Sequence, residues 1–298
     1  MNKVFENICQ MTQEDVKKYV ANALNETHSY VVNGDGYVFA QGSFPVLLVA
    51  HMDTVHQALP HLIVYNKTLG AISSPTGIGG DDRCGIYMVL EIVKRYNCSV
   101  LFCEDEEIGG VGARKFTKSD VIDNLEFNYI IEFDRKGAND AVFYDCENTE
   151  FTEFITKEFY REAIGSFSDI SIVAPELGCA AVNLSCGYYN AHTNDEYVVL
   201  ADMDASIEAA CKILERTTES DKFEYIEAAY NPNYANLYGA YSCIDSYYLI
   251  GYMGDRGRIE YYDTWAANKY EAIGRFCYDN ENMTYNDIIE IYCEDEVV

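Results

Sequence analysis

Positive charge is scarce in this sequence. Its 298 residues include 21 Lys and Arg against 49 Asp and Glu, which gives a formal net charge of -28 and a pI near 4.3. A chain this acidic is repelled by a phosphate backbone and by an anionic membrane surface. We therefore expect neither nucleic acid nor membrane as a partner, whereas cations are favoured.

Long apolar runs are also missing. The first 22 residues carry charges throughout and contain no apolar core of the length that a secretory signal needs. No stretch approaches the ~20 apolar residues of a membrane-spanning helix. We expect a cytoplasmic protein. The eleven cysteines include no Cys-x-x-Cys pair, which favours reduced core thiols over a disulfide framework or a zinc ribbon.

Strand-like and helix-like segments alternate along residues 1–219. Apolar runs predict strands at 29–32, 37–40, 46–51, 62–65, 69–72, 99–103, 129–133, 141–144 and 180–184. Helical spacing of apolar residues predicts helices at about 13–24, 82–96, 150–160 and 202–216. This alternation predicts an α/β fold, with a central mixed, mostly parallel sheet flanked by helices and ligand sites beyond the carboxyl ends of its strands. The run at 141–144 is a candidate partner of the strand at 129–133.

Residues 220–298 differ in composition from the rest of the chain. They hold 14 of the 26 tyrosines and the only tryptophan, Trp265. We predict a small appended module with strands near 247–253 and 259–262, followed by a helix. This module could cover an edge of the main sheet or serve as an interaction surface. We favour the first interpretation, because exposed sheet edges are usually protected.

The most informative stretch lies at residues 46–55, where a buried strand ends on His51. Asp53 follows two residues later and shares a strand face with His51. A carboxylate there can accept the ring N–H of His51 and leave the other ring nitrogen free for a metal ion. The alternative is a hydrogen-bonded histidine at a strand end, with Asp53 capping the next turn.

Further nitrogen and oxygen donors stand at or after other strand ends or at a helix start. They are Asp81 in Gly-Gly-Asp-Asp-Arg, Glu106 and Glu107 in Asp-Glu-Glu-Ile-Gly, Asp134 in Glu-Phe-Asp-Arg, and His192 in Asn-Ala-His-Thr. Each has an ordinary interpretation as a helix N-terminal aspartate, a solvated acidic loop or a surface polar residue. Carboxylates packed together are costly unless cations neutralise them or protons are shared. The remaining histidines, at 28, 56 and 61, are interpreted as structural or exposed.

Together these five motifs resemble the dinuclear zinc exopeptidases, the superfamily of peptidase T and related aminopeptidases and amino-acid deacylases. The resemblance spans residues 46–196 in the family's order. It implies that Asp81 bridges two zinc ions, with cobalt or manganese as possible substitutes. His51 and Asp134 would complete the shell of one ion, and Glu107 and His192 that of the other.

The resemblance also implies catalytic roles for two further residues. Glu106 would be the general base, and Asp53 would orient His51. Only 57 residues separate Asp134 from His192, too few for the lid or dimerisation domain that many relatives carry there. We therefore predict a lidless catalytic domain at 1–219 and a separate module at 220–298. The lysine that usually follows the paired aspartates is Arg83 here.

Three functions remain open at this point. The leading one is an aminopeptidase acting on short peptides, with Arg83, Asp169 and Glu196 as candidate substrate contacts. A deacylase or carboxypeptidase acting on N-acyl amino acids or dipeptides is the alternative within the class, and Arg83 or Arg135 could bind its substrate carboxylate. The third is a catalytically idle scaffold that binds a protein partner. The oligomeric state cannot be inferred from the sequence.

Overall fold

The computed structural model describes residues 3–165, 167–227, 246–254, 258–266, 272–273, 275–276, 279–280, 283 and 288–293. Within these ranges, every helix is too short or too polar to cross a membrane. All elements that carry the candidate donors lie between residues 3 and 227. The described parts of residues 246–293 form a smaller sheet of their own.

An eight-stranded mixed sheet forms the centre of the fold. In chain order its strands are β1 Tyr30–Gly34, β2 Tyr37–Gln41, β3 Phe44–His51, β6 Cys98–Cys103, β7 Tyr129–Arg135, β8 Asp140–Val142, β9 Arg161–Ala163 and β10 Ala181–Ser185. Their order across the sheet is β1-β2-β6-β3-β7-β10-β8-β9. The central strands β6, β3, β7 and β10 are parallel, so their carboxyl ends meet at one edge.

Helices cover both faces of this sheet, as the alternating pattern predicted. They are α1 Lys3–Cys9, α2 Gln13–Asn25, α3 Gly80–Ile92, α4 Val111–Thr117, α5 Thr149–Thr156, α6 Ile170–Leu177 and α7 Leu200–Arg216. The buried side chains of α1, α2, α3, α5 and α7 form one core with one face of the strands. Those of α4 and α6 form a second core with the opposite face.

Two smaller sheets complete the described structure. One has the order β11-β12-β5-β4, built from β4 Val64–Asn66, β5 Ala71–Ser73, β11 Tyr188–Tyr189 and β12 Tyr197–Val199. The other has the order β14-β13-β15, built from β13 Ser246–Met253, β14 Ile259–Ala266 and β15 Ile288–Cys293. This last sheet has its own small core, which includes Tyr248, Ile250 and Phe276.

The predicted fold class is confirmed, and one strand partner was wrong. β8 pairs with β10 and β9 rather than with β7. The two strands predicted near 247–253 and 259–262 are present, whereas the helix predicted after them falls largely outside the described residues. The domain boundary at 219/220 stays a prediction. Phe223 donates its backbone N–H to Asn128 O at 2.9 Å and so bonds to the main body.

Candidate metal centre

The register of the parallel strands brings His51 and Asp134 together. Val49 of β3 pairs with Glu132 of β7, so the residues two positions further along each strand are neighbours at the carboxyl edge. His51 Nε2 lies 3.2 Å from Asp134 Oδ1. The other ring nitrogen, Nδ1, lies 3.4 Å from Asp53 Oδ1, the pairing that the His-x-Asp spacing predicted.

Asp53 also fixes the turn that carries the paired glutamates. Its two carboxylate oxygens accept the backbone N–H groups of Glu106 at 2.9 Å and of Glu107 at 3.0 Å. This turn follows β6, and Asp105 in it has a φ of 60°, a conformation that is costly for a residue other than glycine. Bonds from Asp53 to both residues hold the turn in place, so the adjacent Glu106 and Glu107 can face one site.

Asp81 stands in the first turn of α3, and glycines allow the close packing there. Gly79 precedes the helix with a φ of 65°. A Cβ on Gly85 would lie 2.0 Å from the carbonyl oxygen of Phe133. Only a glycine at this position lets α3 lie so close to the end of β7, and this contact sets the distance from Asp81 to Asp134.

His192 lies in the loop between β11 and β12 and completes the group. Its Nε2 atom is 2.6 Å from Asp81 Oδ2 and 3.0 Å from Glu107 Oε1. Its backbone φ is 63°, another left-handed conformation at a residue other than glycine. The His192 side chain is 49% exposed, whereas that of His51 is 1% exposed. The group of donors is therefore accessible to solvent from the side on which His192 lies.

Three overlapping sets of donors result, each with its atoms within 4.8 Å of one another. One set consists of His51, Asp81 and Asp134, and another of Asp81, Glu107 and His192. These two sets share Asp81. The third set joins His51 to Glu106 and Glu107, which places both glutamates beside the donors.

Burial dominates the electrostatics of the acidic groups. It raises the pKa of Asp134 to about 6, although the hydrogen bond to His51 opposes the shift. Burial also raises the pKa of Glu107, opposed by His192. The pKa of Glu106 lies well above its usual range because of burial and the nearby charge of Asp134. The cause in each case is a carboxylate held out of water beside other carboxylates.

The two histidines respond in the opposite way. Hydrogen bonds to Asp81 and Glu107 raise the pKa of His192 to about 11, against the effect of burial. Burial lowers the pKa of His51, but the hydrogen bonds to Asp134 and Asp53 outweigh it and place the pKa well above the usual value. Both shifts show that this group of carboxylates strongly stabilises a positive charge in its midst.

These properties fit divalent cations. A single ring nitrogen, His192 Nε2, lies 2.6 Å from Asp81 Oδ2 and 3.0 Å from Glu107 Oε1, and it can donate only one proton to these two buried carboxylates. Neutral imidazole nitrogens and carboxylate oxygens are suitable donors for zinc, and they also suit cobalt or manganese. One cation in each of the two sets that share Asp81 would neutralise the buried carboxylates. The seven residues named for the metals, the base and its orienting group thus lie together, while their roles remain proposals.

Asn183 and Tyr188 also support the group, and the motifs did not identify them. Asn183 Oδ1 accepts the backbone N–H of Asp134 at 3.0 Å, and its Nδ2 donates to Asp134 Oδ2 at 3.1 Å. The Tyr188 hydroxyl donates to the backbone oxygen of Asp134 at 2.8 Å. The signal for Asn183 was visible, since a buried amide within the apolar run Ala-Val-Asn-Leu needs a polar partner.

Two of the three candidate substrate contacts are engaged inside the protein. Arg83 is buried and donates to the backbone oxygens of Met52 at 2.5 Å and Met11 at 3.2 Å. Glu196 is fully buried and accepts bonds from the Gly79 and Asp81 backbone N–H groups at 2.8 and 3.1 Å. These contacts are structural. They place Arg83 and Glu196 in the support of α3 rather than against a substrate.

Asp169, the third candidate contact, is buried beside the site. Neither of its carboxylate oxygens accepts an N–H or O–H hydrogen bond from the described residues, and the thiol of Cys103 is its hydrogen-bond partner. Burial raises its pKa to about 7. Nearby, the buried carboxylate of Glu132 accepts a hydrogen bond from the Ser168 hydroxyl. Unlike Glu196, Asp169 therefore accepts no backbone N–H on its carboxylate, and its contact with a substrate stays a prediction.

Comparison with known proteins identifies similar structures only. No protein-family model matches the chain, and no curated protein matches it. The similar solved structures include aminopeptidase PepT from Bacillus cereus, which is 14% identical with a TM-score of 0.60. That match covers 72% of this chain and 96% of the other.

Two further structures agree with this likeness. A tripeptidase from Staphylococcus aureus is 13% identical with a TM-score of 0.55, over 71% of this chain and 96% of that one. An aminopeptidase from the archaeon Desulfurococcus kamchatkensis is 16% identical with a TM-score of 0.54, over 76% of this chain and 98% of that one. At these identities the likeness concerns the fold. The chain therefore has the α/β fold of these aminopeptidases, in agreement with the fold class that the sequence predicted.

Proposed function

We propose that this protein is a metal-dependent aminopeptidase that cleaves the N-terminal peptide bond of short peptides. The observation that carries the proposal is the pair of donor sets that share Asp81, at the carboxyl edge of the parallel strands. The fold of the similar aminopeptidases supports it. We attribute the activity of those proteins to this chain only as part of this proposal.

The residues fit two zinc ions, one held by His51, Asp81 and Asp134 and the other by Asp81, Glu107 and His192. When bound, the ions supply Lewis acidity towards the scissile carbonyl and lower the pKa of a bound water. Asp53 fixes the tautomer of His51 by accepting its Nδ1–H. It also holds the turn that presents Glu106 and Glu107.

Glu106 is the proposed general base. It is buried beside the donor sets and is not needed in either of the two sets that share Asp81. Its carboxylate takes the proton of the attacking water and returns it to the leaving amine. The first transfer requires an ionised Glu106 and leaves it protonated for the second, and cations in the site would favour the ionised form at the start by offsetting the neighbouring carboxylates.

The arrangement of the arginines favours an aminopeptidase over a carboxypeptidase or deacylase. An enzyme of the latter kind needs a cationic group for its substrate carboxylate. Arg83 is buried in bonds to backbone oxygens, and Arg135 is paired with Asp140 at 3.2 Å. Asp169 is instead a buried carboxylate beside the site that pairs with no cationic side chain among the described residues, and when ionised it has the sign that a substrate ammonium group requires.

An assay of substrate classes tests this proposal. Protein purified without chelator is compared on aminoacyl-anilides and on N-acyl amino acids, before and after chelation and with zinc or cobalt restored. We expect hydrolysis of the anilides, loss on chelation and recovery with metal. Preference for N-acyl amino acids would transfer the assignment to the deacylase class. Absence of bound metal together with no hydrolysis would favour the idle scaffold.

A further inference from the structure

Exposed apolar side chains concentrate on one hairpin outside the metal centre. Between residues 3 and 227, the described structure has nine exposed large hydrophobic residues. Four of them fall in the eight positions from 62 to 69, in or just before the β4–β5 hairpin. We call these four residues the hairpin patch: Leu62 (62% exposed), Val64 (45%), Tyr65 (39%) and Leu69 (59%). Exposed apolar side chains that gather in one segment typically mark a contact with another molecule.

The hairpin patch also lies at an open edge. β4 is the outermost strand of the order β11-β12-β5-β4 and pairs only with β5 among the described strands. All three of its residues are exposed. Sheet edges in soluble proteins are usually covered or guarded by charge, and the only charge nearby in sequence is Lys67. The edge is therefore apolar and unguarded by acidic residues.

The charge distribution sets this region apart. Residues 54–80 contain none of the 49 acidic residues of the chain, although they make up 27 of its 298 residues. It is the longest stretch without an acidic residue, and the next longest are 177–194 with 18 residues and 36–52 and 228–244 with 17 residues each. Two copies of the chain that approach through other surfaces bring carboxylates together, and like charges in contact are unfavourable.

We propose that the hairpin patch is the surface through which two copies of this chain associate about a two-fold axis. A two-fold contact places the same patch on both sides. Here it joins two apolar surfaces that carry no carboxylate. Its four residues are far fewer than the ~20–30 residues per partner of a stable complex, so the expected dimer is a weak one, with a dissociation constant in the micromolar range.

Sedimentation velocity on the full, metal-loaded chain tests the proposal. From about 1 to about 200 µM protein, the dimer fraction is expected to rise with concentration. It is also expected to rise when NaCl goes from about 0.05 to about 0.5 M, because salt screens the repulsion between two acidic copies. A wild-type chain that stays monomeric across this whole range would overturn the proposal.

Two matched variants locate the contact. Tyr65→Glu puts a carboxylate in the patch and is expected to weaken association at least about tenfold. Tyr30→Glu is the control, since Tyr30 is 50% exposed on β1, the edge strand of the main sheet, and it should leave the dimer unchanged. Equal effects of the two variants, or no effect of Tyr65→Glu, would overturn the proposal.

A cross-link gives a second readout that does not depend on a disruptive variant. Eight of the eleven cysteines are buried, and the wild-type chain oxidised in parallel is the control for the other three. Tyr65→Cys is expected to form a disulfide-linked dimer under mild oxidation at micromolar protein, whereas Tyr30→Cys is not. If Tyr30→Cys cross-links as readily as Tyr65→Cys, the contact is not on the hairpin patch.

Discussion

At the scale of single residues, Glu106 is the side chain whose role is most open to test. Glu106→Gln keeps the shape of the side chain but removes the proton acceptor. We expect it to retain two metal ions per chain and to lower kcat by about 10²–10⁴-fold, the usual contribution of a general base. Metal analysis and steady-state kinetics on the same preparation measure both quantities.

The control for this variant is Glu104→Gln. Glu104 lies in the same segment but pairs with Lys17 at 2.5 Å and belongs to none of the donor sets. The Glu104→Gln variant should keep most of the activity. A Glu106→Gln protein with wild-type kcat would refute the assignment of Glu106 as the base. Loss of bound metal from the Glu106→Gln protein would instead indicate that Glu106 is a metal ligand.

Asp169 gives a second expectation, concerning pH and stability. Its pKa in the folded chain is about 7, above the usual value for an aspartate, because the carboxylate is buried. The folded state thus binds this proton more tightly than the unfolded state. The free energy of unfolding must fall as the pH rises from about 4 to about 7.

Asp169→Asn removes this proton-binding group. In chelator-treated protein we expect the variant to match the wild type near pH 4 and to be more stable by about 1–3 kcal/mol at pH 8. Thermal unfolding at the two pH values measures the difference. Asp123→Asn, at an exposed position, is the control. An Asp169→Asn protein that gains nothing at high pH would contradict the burial argument.

The metal-centre residues were more predictable than the residues that support them. His51, Asp81 and Asp134 were identified because strand ends and helix starts point polar groups at one edge of a parallel sheet. The sequence did not reveal that Arg83 and Glu196 bond to backbone groups, and their contact with a substrate stays a prediction. A charged side chain in a motif looks functional in sequence, but whether it faces solvent or bonds to backbone groups depends on packing between distant segments.

At the scale of elements, the placement of α3 controls the spacing of the donors. Gly85→Ala would put a methyl group 2.0 Å from the carbonyl oxygen of Phe133, so the helix must move away from β7. We expect a loss of stability of about 1–3 kcal/mol, as for other overpacked sites. A weaker affinity for metal is also expected, because Asp81 moves with the helix.

Gly178→Ala is the control for a general effect on stability. Gly178 has a φ of +62° but open space around its Cβ position. Alanine there should lower stability by about 1 kcal/mol through backbone strain without changing metal affinity. Chemical denaturation and metal titration separate the two quantities. Equal loss of metal affinity in both variants would contradict the role given to α3.

Long periodic elements were predicted from the sequence, whereas the short helices α4 and α6 were missed. The capping pattern at Thr12 correctly placed α2, since its hydroxyl accepts the Asp15 N–H at 3.1 Å. α4 has only seven residues, and α6 contains Pro175, which argues against a helix in sequence. The partner of β8 was predicted wrongly because strand pairing depends on contacts between distant segments, which a local residue pattern does not encode.

At the scale of the whole molecule, the donors come from widely separated parts of the chain. His51, Asp81, Glu107, Asp134 and His192 span 142 positions of the sequence. Metal that binds only this folded arrangement must stabilise the fold, by about 2.7 kcal/mol when its concentration is 100 times the dissociation constant. We expect chelation to lower the Tm by several degrees and zinc to restore it.

Histidine variants provide the comparison for this effect. His192→Ala should abolish much of the gain in Tm with zinc, because one donor set loses its only imidazole. His61→Ala, at an exposed position outside the donor sets, should keep the gain. A zinc-dependent Tm shift that is unaffected by His192→Ala would place the stabilising metal elsewhere.

Anomalous diffraction from crystals of the zinc-loaded protein tests the central claim most directly. The account requires two zinc peaks per chain, one among His51, Asp81 and Asp134 and one among Asp81, Glu107 and His192, with both peaks in contact with Asp81. A single peak, or peaks that do not share Asp81, would contradict it.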